Sequence, residues 1–114
     1  MAADRRSSWL KGVLDLLVLS RLTDGESYGY EIAKALADAG LGEIKGGTLY
    51  PVLNRLEEGG LVEAEFRAAE RGPGRRYYRL TAHGRALLAA ETGAWLDFHH
   101  TVRTMLDPGG TTTP

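Results

Sequence analysis

The sequence contains no cysteine, only four prolines and no long apolar run. Without cysteine, the chain has no disulfide, thiolate metal site, iron–sulfur cluster or cysteine nucleophile. A membrane-spanning helix needs about 20 apolar residues, and charged residues or glycines interrupt every stretch before that length. The first residues do not resemble a secretory signal. Together these absences predict a cytoplasmic protein with no membrane partner.

Neither sign of charge is in excess, because the chain has 14 Lys and Arg residues and 15 Asp and Glu residues, for a net charge of −1. Nucleic-acid-binding proteins are normally basic, so this balance at first argues against that class. The composition, with 43% hydrophobic and 25% charged residues, is that of a soluble globular protein. A length of 114 residues predicts one domain.

Motifs of enzymes and of cofactor or metal sites are also missing from the sequence. No G-x-S-x-G, P-loop or dinucleotide fingerprint occurs. The histidines are His83, His99 and His100, and a metal site at the adjacent pair would need Asp97 or a second chain. We interpret them instead as surface or interface histidines. We therefore predict a chain that is not an enzyme and takes no cofactor or metal.

Glycine, by contrast, is abundant: 15 residues of 114 is nearly twice the usual share of about 7%. Many glycines come in close pairs, which mark turns and helix C-caps. Between them, apolar spacing predicts three helices. The first runs from Trp9 to Leu22, the second is capped by Ser27 and ended by Gly40, and the third begins near Thr48.

After the third helix the hydrophobic period changes from that of a helix to that of a strand. Apolar and charged residues alternate over Val62–Arg67, and a second strand follows over Arg76–Leu80, with a Gly-Pro-Gly turn between them. These two strands predict an antiparallel hairpin. Thr81 then caps a last long helix that runs to about Leu106.

The order helix, helix, helix, hairpin, long helix predicts a mainly α protein with a small β-hairpin. Residues 1–81 form a winged helix-turn-helix, residues 82–106 a C-terminal dimerisation helix, and residues 107–114 a disordered tail. In this fold the third helix enters the major groove of DNA, and the hairpin, called the wing, lies along the backbone or in the minor groove.

Two segments carry the candidate DNA contacts. The outer face of the third helix would address bases, and the residues before it offer a cation and free N–H groups to a phosphate. An ordinary amphipathic surface helix would show the same pattern. Residues 67–79, however, hold five arginines against one acid, which solubility alone does not explain and which suits phosphate contacts. The candidate DNA-binding residues are Lys45, Gly47, Thr48, Tyr50, Asn54, Arg55, Arg71, Arg75 and Arg76.

The sequence resembles the PadR family of transcriptional regulators from about Leu10 to about Gly93. The matching pieces include Tyr28-Gly29-Tyr30-Glu31-Ile32, Gly47-Thr48-Leu49-Tyr50-Pro51 and Gly72-Pro73-Gly74-Arg75-Arg76-Tyr77-Tyr78. The resemblance implies a dimeric repressor of the short subfamily, in which Tyr50 and the wing arginines contact DNA. Gly74 is an insertion relative to the commonest wing sequence, and it leaves the geometry of the wing tip open.

The last helix carries a seam of apolar residues at heptad spacing. Leu88, Trp95 and Val102 are seven apart, as are Phe98 and Met105, so we expect them to form a homodimer interface, together with the partner's first helix. The resemblance further implies a small aromatic effector between the subunits, with Trp95 and Phe98 as its contacts. Alternatively, these two aromatic residues fill the dimer core.

The sequence therefore predicts a dimeric, sequence-specific DNA-binding regulator, a repressor that an aromatic ligand could release. The alternative is a winged helix used for protein–protein contact without DNA, because fold alone does not decide function. The net charge does not contradict DNA binding, since positive charge gathers in the N-terminal arm, the third helix and the wing.

Overall fold

The structure is a computed structural model that describes the backbone of residues 2–109 and the side chains of residues 5–109. Residues 110–114 of the predicted tail lie outside the described residues. The helices and strands in that range are α1 Ala2–Lys11, α2 Leu14–Arg21, β1 Ser27–Tyr28, α3 Gly29–Leu36, α4 Gly46–Glu58, β2 Val62–Arg67, β3 Arg75–Leu80 and α5 Ala82–Leu106.

The first predicted helix is in fact two helices, which corrects the single span from Trp9 to Leu22. Val13 leaves helical geometry, at φ −132° and ψ 0°, and the amides of Gly12 and Val13 bond back three residues at the end of α1. Glycine makes this break inexpensive. The apolar face of α2 enters the core, whereas Trp9 on α1 stays 64% exposed.

The prediction that Ser27 caps the second helix is wrong, because Ser27 lies in a strand. Ser27 and Tyr28 pair with Tyr78 and Tyr77, so the sheet has three strands in the order β1-β3-β2. The Ser27 side chain is fully buried, and its hydroxyl donates to the Glu31 carboxylate over 2.9 Å. A strand of two residues is too short to show an alternating pattern, so the sequence does not predict it.

The predicted position of α4 is right, but it begins at Gly46 rather than at Thr48. The Thr48 and Leu49 amides bond the carbonyl of Lys45, so Lys45 occupies the cap position. Before α4, a π-turn over Ala37–Leu41 follows α3 and closes at Gly40, whose φ of +119° favours glycine.

The hairpin is confirmed almost residue for residue, and it docks on the same core as the helices. β2 and β3 pair from Val62 with Leu80 to Arg67 with Arg75. Within residues 5–109 the core is formed by apolar side chains of α2, α3, α4 and the sheet: Leu14, Val18, Leu19, Leu22, Ile32, Leu36, Ile44, Leu49, Val52, Leu53, Leu56, Val62, Tyr78 and Leu80.

The last helix is anchored at its start and exposed along its second half. The Thr81 hydroxyl accepts the Gly84 amide over 3.0 Å, which confirms the predicted cap. Gly84 is buried, while every residue from Glu91 to Leu106 is exposed in the single chain. Within residues 2–109, no helix combines the length and apolar character that a membrane span requires.

Candidate nucleic-acid interface

The fourth helix separates a buried apolar face from an exposed polar face. Leu49, Val52, Leu53 and Leu56 are at most 6% exposed, since their spacing places them on one side of the helix. All nine candidate DNA-binding residues are exposed, including Asn54 and Arg55 on the opposite side. The helix is thus held firmly to the core by one face while the other is open to a ligand.

Tyr50 is the one large apolar side chain on this exposed face, and it is fixed in place by glycines. Its ring lies over Gly46 and Gly29, where a Cβ on Gly29 would overlap the tyrosine hydroxyl. The side chain remains 46% exposed. Tyr50 is therefore wedged against the start of α3 with one edge in solvent, a preorganised position for a contact residue.

The first turn of α4 offers backbone and side-chain groups to an anion. Within the described chain, no side chain caps this helix, and the first backbone bond is made by the Thr48 amide, so the amides of Gly46 and Gly47 are available to an incoming phosphate. Lys45 and Thr48 line a cleft of about 250 Å³ together with Ser7 and Lys11 of α1. Sequence reasoning did not assign Ser7 or Lys11, because their proximity to α4 depends on how α1 packs.

Two arginines of the wing, Arg67 and Arg76, are paired with carboxylates. Arg67 donates to both carboxylate oxygens of Glu26, at 2.6 and 2.9 Å, and Arg76 does so to Glu57, at 2.6 and 2.9 Å. The hydrogen bonds from Arg67 hold the pKa of the Glu26 carboxyl below its usual value. Several charges that the sequence places at the wing are therefore already neutralised by the scaffold.

Arg75 has an aromatic partner instead of a carboxylate. Its guanidinium lies 4.3 Å from the centre of the Tyr28 ring, and Tyr28 meets Tyr77 edge to face with ring centres 5.4 Å apart. A cation over an aromatic face keeps its outward N–H groups free to donate. Arg71 lies in the exposed loop between the strands.

The inserted Gly74 has a structural reason. A Cβ at this position would overlap the Phe66 ring and the carbonyl oxygen of Arg67. Gly74 thus lets the start of β3 pass close beneath Phe66, which itself is 64% exposed at the wing. The insertion that left the wing geometry open in the sequence produces a closely packed strand start.

A shallow cleft of about 280 Å³ brings these parts together between α4 and the wing. It is lined by side chains from β1, from the start of α3, from α4 and from β3, namely Tyr28, Tyr30, Tyr50, Arg75 and Arg76, together with Gly29 and Gly74. Phenol hydroxyls and guanidinium groups are good donors to phosphate oxygens. Arg71 does not line this cleft, whereas Tyr30, which sequence reasoning did not assign, does.

Comparison with known proteins agrees with this arrangement. The profile of the PadR-like family of transcriptional regulators matches residues 18–90. The chain belongs to the PadR-like family. Its members are transcriptional regulators rather than enzymes, and they bind DNA.

Relatives and solved structures extend over most of the chain. The transcriptional regulator Rv3488 of Mycobacterium tuberculosis is 37% identical over 84 residues, which cover 74% of this chain and 77% of that protein. A PadR family transcriptional regulator from Eggerthella lenta superposes with a TM-score of 0.83 at 33% identity, covering 97% and 94% of the two chains. A PadR-like regulator from Bacillus cereus gives a TM-score of 0.76 at 33% identity, covering 87% and 96%. The fold is therefore the winged helix of PadR-like regulators.

The last helix of this PadR-like chain leaves its aromatic seam uncovered. Trp95 and Val102 are each 37% exposed, Phe98 63% and Met105 77%, whereas Leu88 packs partly against the core. The Trp95 ring stacks on His99 with centres 5.3 Å apart and planes 11° from parallel. Exposed apolar residues in such a stripe are typical of protein contact surfaces.

Trp95 also lies at the junction of two clefts. One, of about 460 Å³, is shared with Trp9, Leu10 and Val13. The other, of about 400 Å³, lies against Leu16 and Leu17 of α2. Both are open to solvent in the single chain, and a second apolar surface laid across α5 would enclose them.

Proposed function

We propose that this PadR-like regulator is a homodimeric, sequence-specific DNA-binding repressor. The observation that carries the proposal is the shared surface of α4 and the wing: Tyr50 on the exposed face of α4 and the stacked Arg75 line one cleft. A major-groove helix beside a wing with free cationic groups suits one face of duplex DNA. The relatives reported above come from bacteria, whose DNA lies in the cytoplasm, so the proposed function places the chain there.

Within this surface we assign separate roles to side chains and backbone. Thr48, Tyr50 and Asn54 address base edges, since they lie along the exposed side of the first turns of α4. Phosphates are met by Lys45, by the Gly47 amide, and by Arg55, Arg71 and Arg75, which supply orientation and affinity rather than sequence information.

The dimer forms, in this proposal, through the exposed seam of α5. Phe98, Val102 and Met105 pack against the partner's α5, and Trp9 of α1, which lines one cleft beside Trp95, contributes to the same interface. Two recognition helices related by a two-fold axis would then reach half-sites about 34 Å apart on one face of the duplex. A planar aromatic effector stacking on Trp95, with Phe98 beside it, would alter that spacing and release the DNA.

Salt dependence of DNA binding tests the interface. Arg71→Ala and Arg75→Ala should both weaken binding to a duplex that the wild-type protein selects from a random pool. Each lost phosphate contact lowers the slope of log affinity against log salt by about 0.9, so a dimer with two wings should lose about two units. Affinity measured at several salt concentrations gives this slope directly.

Arg85→Ala is the matched control for these variants. Arg85 is an exposed arginine on α5, beyond the end of the hairpin opposite the wing tip, so its removal changes the net charge equally but should leave the slope unchanged. If the wing variants behave like this control, the wing does not contact DNA. If the wild-type protein enriches no duplex at all, the protein–protein alternative replaces the proposed function.

A further inference from the structure

The ion pair between Arg76 and Glu57 joins the wing to the recognition helix. Arg76 lies near the start of β3, and Glu57 lies in the last turn of α4. One guanidinium nitrogen of Arg76 donates to both oxygens of the carboxylate, at 2.9 and 2.6 Å. Among the ion pairs of residues 5–109, this is the one that spans from α4 to the hairpin.

Arg76 has neighbours on the sheet as well as on α4. Its guanidinium lies 5.9 Å from the centre of the Tyr78 ring on the same strand, and Tyr78 is only 2% exposed. Phe66 pairs with Arg76 across the hairpin. The Arg76 side chain is 47% exposed but is tied to the end of α4 by its ion pair, while Arg71 and Arg75 have no such link to α4 in the described chain.

We propose that Arg76 is a positioning residue that, through Glu57, sets the angle between the recognition helix and the wing. The inference rests on the proposed DNA-binding function and deepens it, because it separates the wing arginines by role. Arg71 and Arg75 supply phosphate contacts. Arg76 instead makes the base contacts of α4 and the wing contacts form at the same time, which raises the preference for the correct sequence.

Substitutions of Arg76 and of Glu57 can be compared by the direction in which each changes DNA affinity. If Arg76 contacts a phosphate, Arg76→Gln weakens binding, whereas Glu57→Gln strengthens it by removing a competing acid near DNA. If the pair positions the wing, both substitutions act in the same direction. They remove opposite charges, so net charge alone cannot produce a common effect.

The experiment compares Arg76→Gln, Glu57→Gln and the double variant on two duplexes, one selected by the wild-type protein and one of shuffled sequence. We expect each single variant to lower the ratio of specific to non-specific affinity by about 2- to 10-fold. The double variant should lose no more than either single variant. Arg76→Lys should recover part of the ratio, because an ammonium group can still pair with Glu57.

The pair Arg79–Glu63 is the matched control, with an N–O distance of 2.9 Å. Its members face each other across β2 and β3, so it lies within the hairpin and does not reach α4. Arg79→Gln and Glu63→Gln make the same charge changes and should leave the ratio near its wild-type value. Opposite effects of Glu57→Gln and Arg76→Gln, with a lowered salt slope for Arg76→Gln, would overturn the positioning role.

A measurement without DNA separates this inference from the proposed function. Hydrogen exchange of the hairpin amides should be faster by about 2- to 5-fold in both Glu57→Gln and Arg76→Gln than in the wild-type protein. If the wild-type protein selects no duplex, the DNA-binding proposal fails. The exchange measurement then tests by itself whether the ion pair links α4 to the wing. Wild-type exchange rates in both variants would then refute the link between α4 and the wing.

Discussion

At the scale of single residues, two glycines allow close contacts that position Tyr50 and the start of α5. Gly29 makes room for the Tyr50 hydroxyl, and Gly84 lets α5 approach the carbonyl oxygen of Leu61. Both lie where an added methyl group would overlap a neighbour. The sequence shows these glycines but not their partners, because the partners are distant along the chain.

Gly84→Ala should destabilise the protein. The new methyl group would overlap a backbone carbonyl, which cannot move aside as a flexible side chain would, so the free energy of unfolding should fall by about 1–3 kcal/mol. This loss would outweigh the gain of up to about 1 kcal/mol that alanine normally brings inside a helix. Urea unfolding at equal protein concentrations measures the difference.

Gly47→Ala provides the control for this substitution. Gly47 is also helical, and a Cβ there meets nothing within 4 Å, so its free energy of unfolding should stay at or above the wild-type value. Equal stability of the two variants would show that α5 shifts easily and that the contact with Leu61 is not tight.

At the scale of elements, α5 combines an anchored first half with an exposed aromatic second half. His99 covers one face of the Trp95 ring, so a planar ligand has only the other face on which to stack. Trp95 also borders the clefts shared with α1 and α2. The sequence predicts the aromatic seam, but the stacking of His99 required the side-chain geometry.

Tryptophan fluorescence tests the proposed effector site. Proflavine, a planar aromatic dye, should quench the fluorescence of the wild-type protein in a saturable manner, because stacking brings the dye into contact with Trp95. Trp95→Ala should abolish most of this effect although Trp9 remains. Trp9→Phe is the reciprocal control and should retain it. Equal quenching in Trp95→Ala and the wild-type protein would show that the dye does not stack on Trp95. The proposed role of Trp95 would then be limited to the dimer core.

At the scale of the whole molecule, the small net charge conceals a division into regions. Residues 67–79 carry five arginines and one acid, whereas residues 57–66 carry four acids and no base. The structure places part of the second group against the first, as with Glu57 and Arg76. Non-specific attraction to DNA is thereby reduced, and specific binding depends more on positioned contacts.

The proposed dimer also concerns the whole molecule, and truncation of α5 tests it. A chain ending at Gly93 lacks Trp95, Phe98, Val102 and Met105, so it should sediment as a monomer while the full chain sediments as a dimer. A chain ending at Asp107 keeps the seam and should remain dimeric. A dimeric Gly93 truncation would show that another surface forms the dimer.

The elements with strong local patterns were predictable from sequence. The alternation over Val62–Arg67, the apolar spacing of α4 and the cap at Thr81 each predict their element within two residues, because each depends on near neighbours. The two-residue strand β1 and the break at Gly12 were not predictable. One exists only by pairing with β3, and the other lies within an apolar pattern that continues from Trp9 to Leu22.

The candidate site shows the same division. The sequence by itself determined which residues are exposed on α4 and how many arginines lie in the wing, since helical periodicity and composition are local properties. Only the tertiary structure decided that Arg76 faces Glu57, that Arg75 stacks on Tyr28 and that Tyr50 rests on Gly29. The reason is physical: a charge or ring acquires its partner when distant segments pack together, and no spacing along the chain encodes that distance.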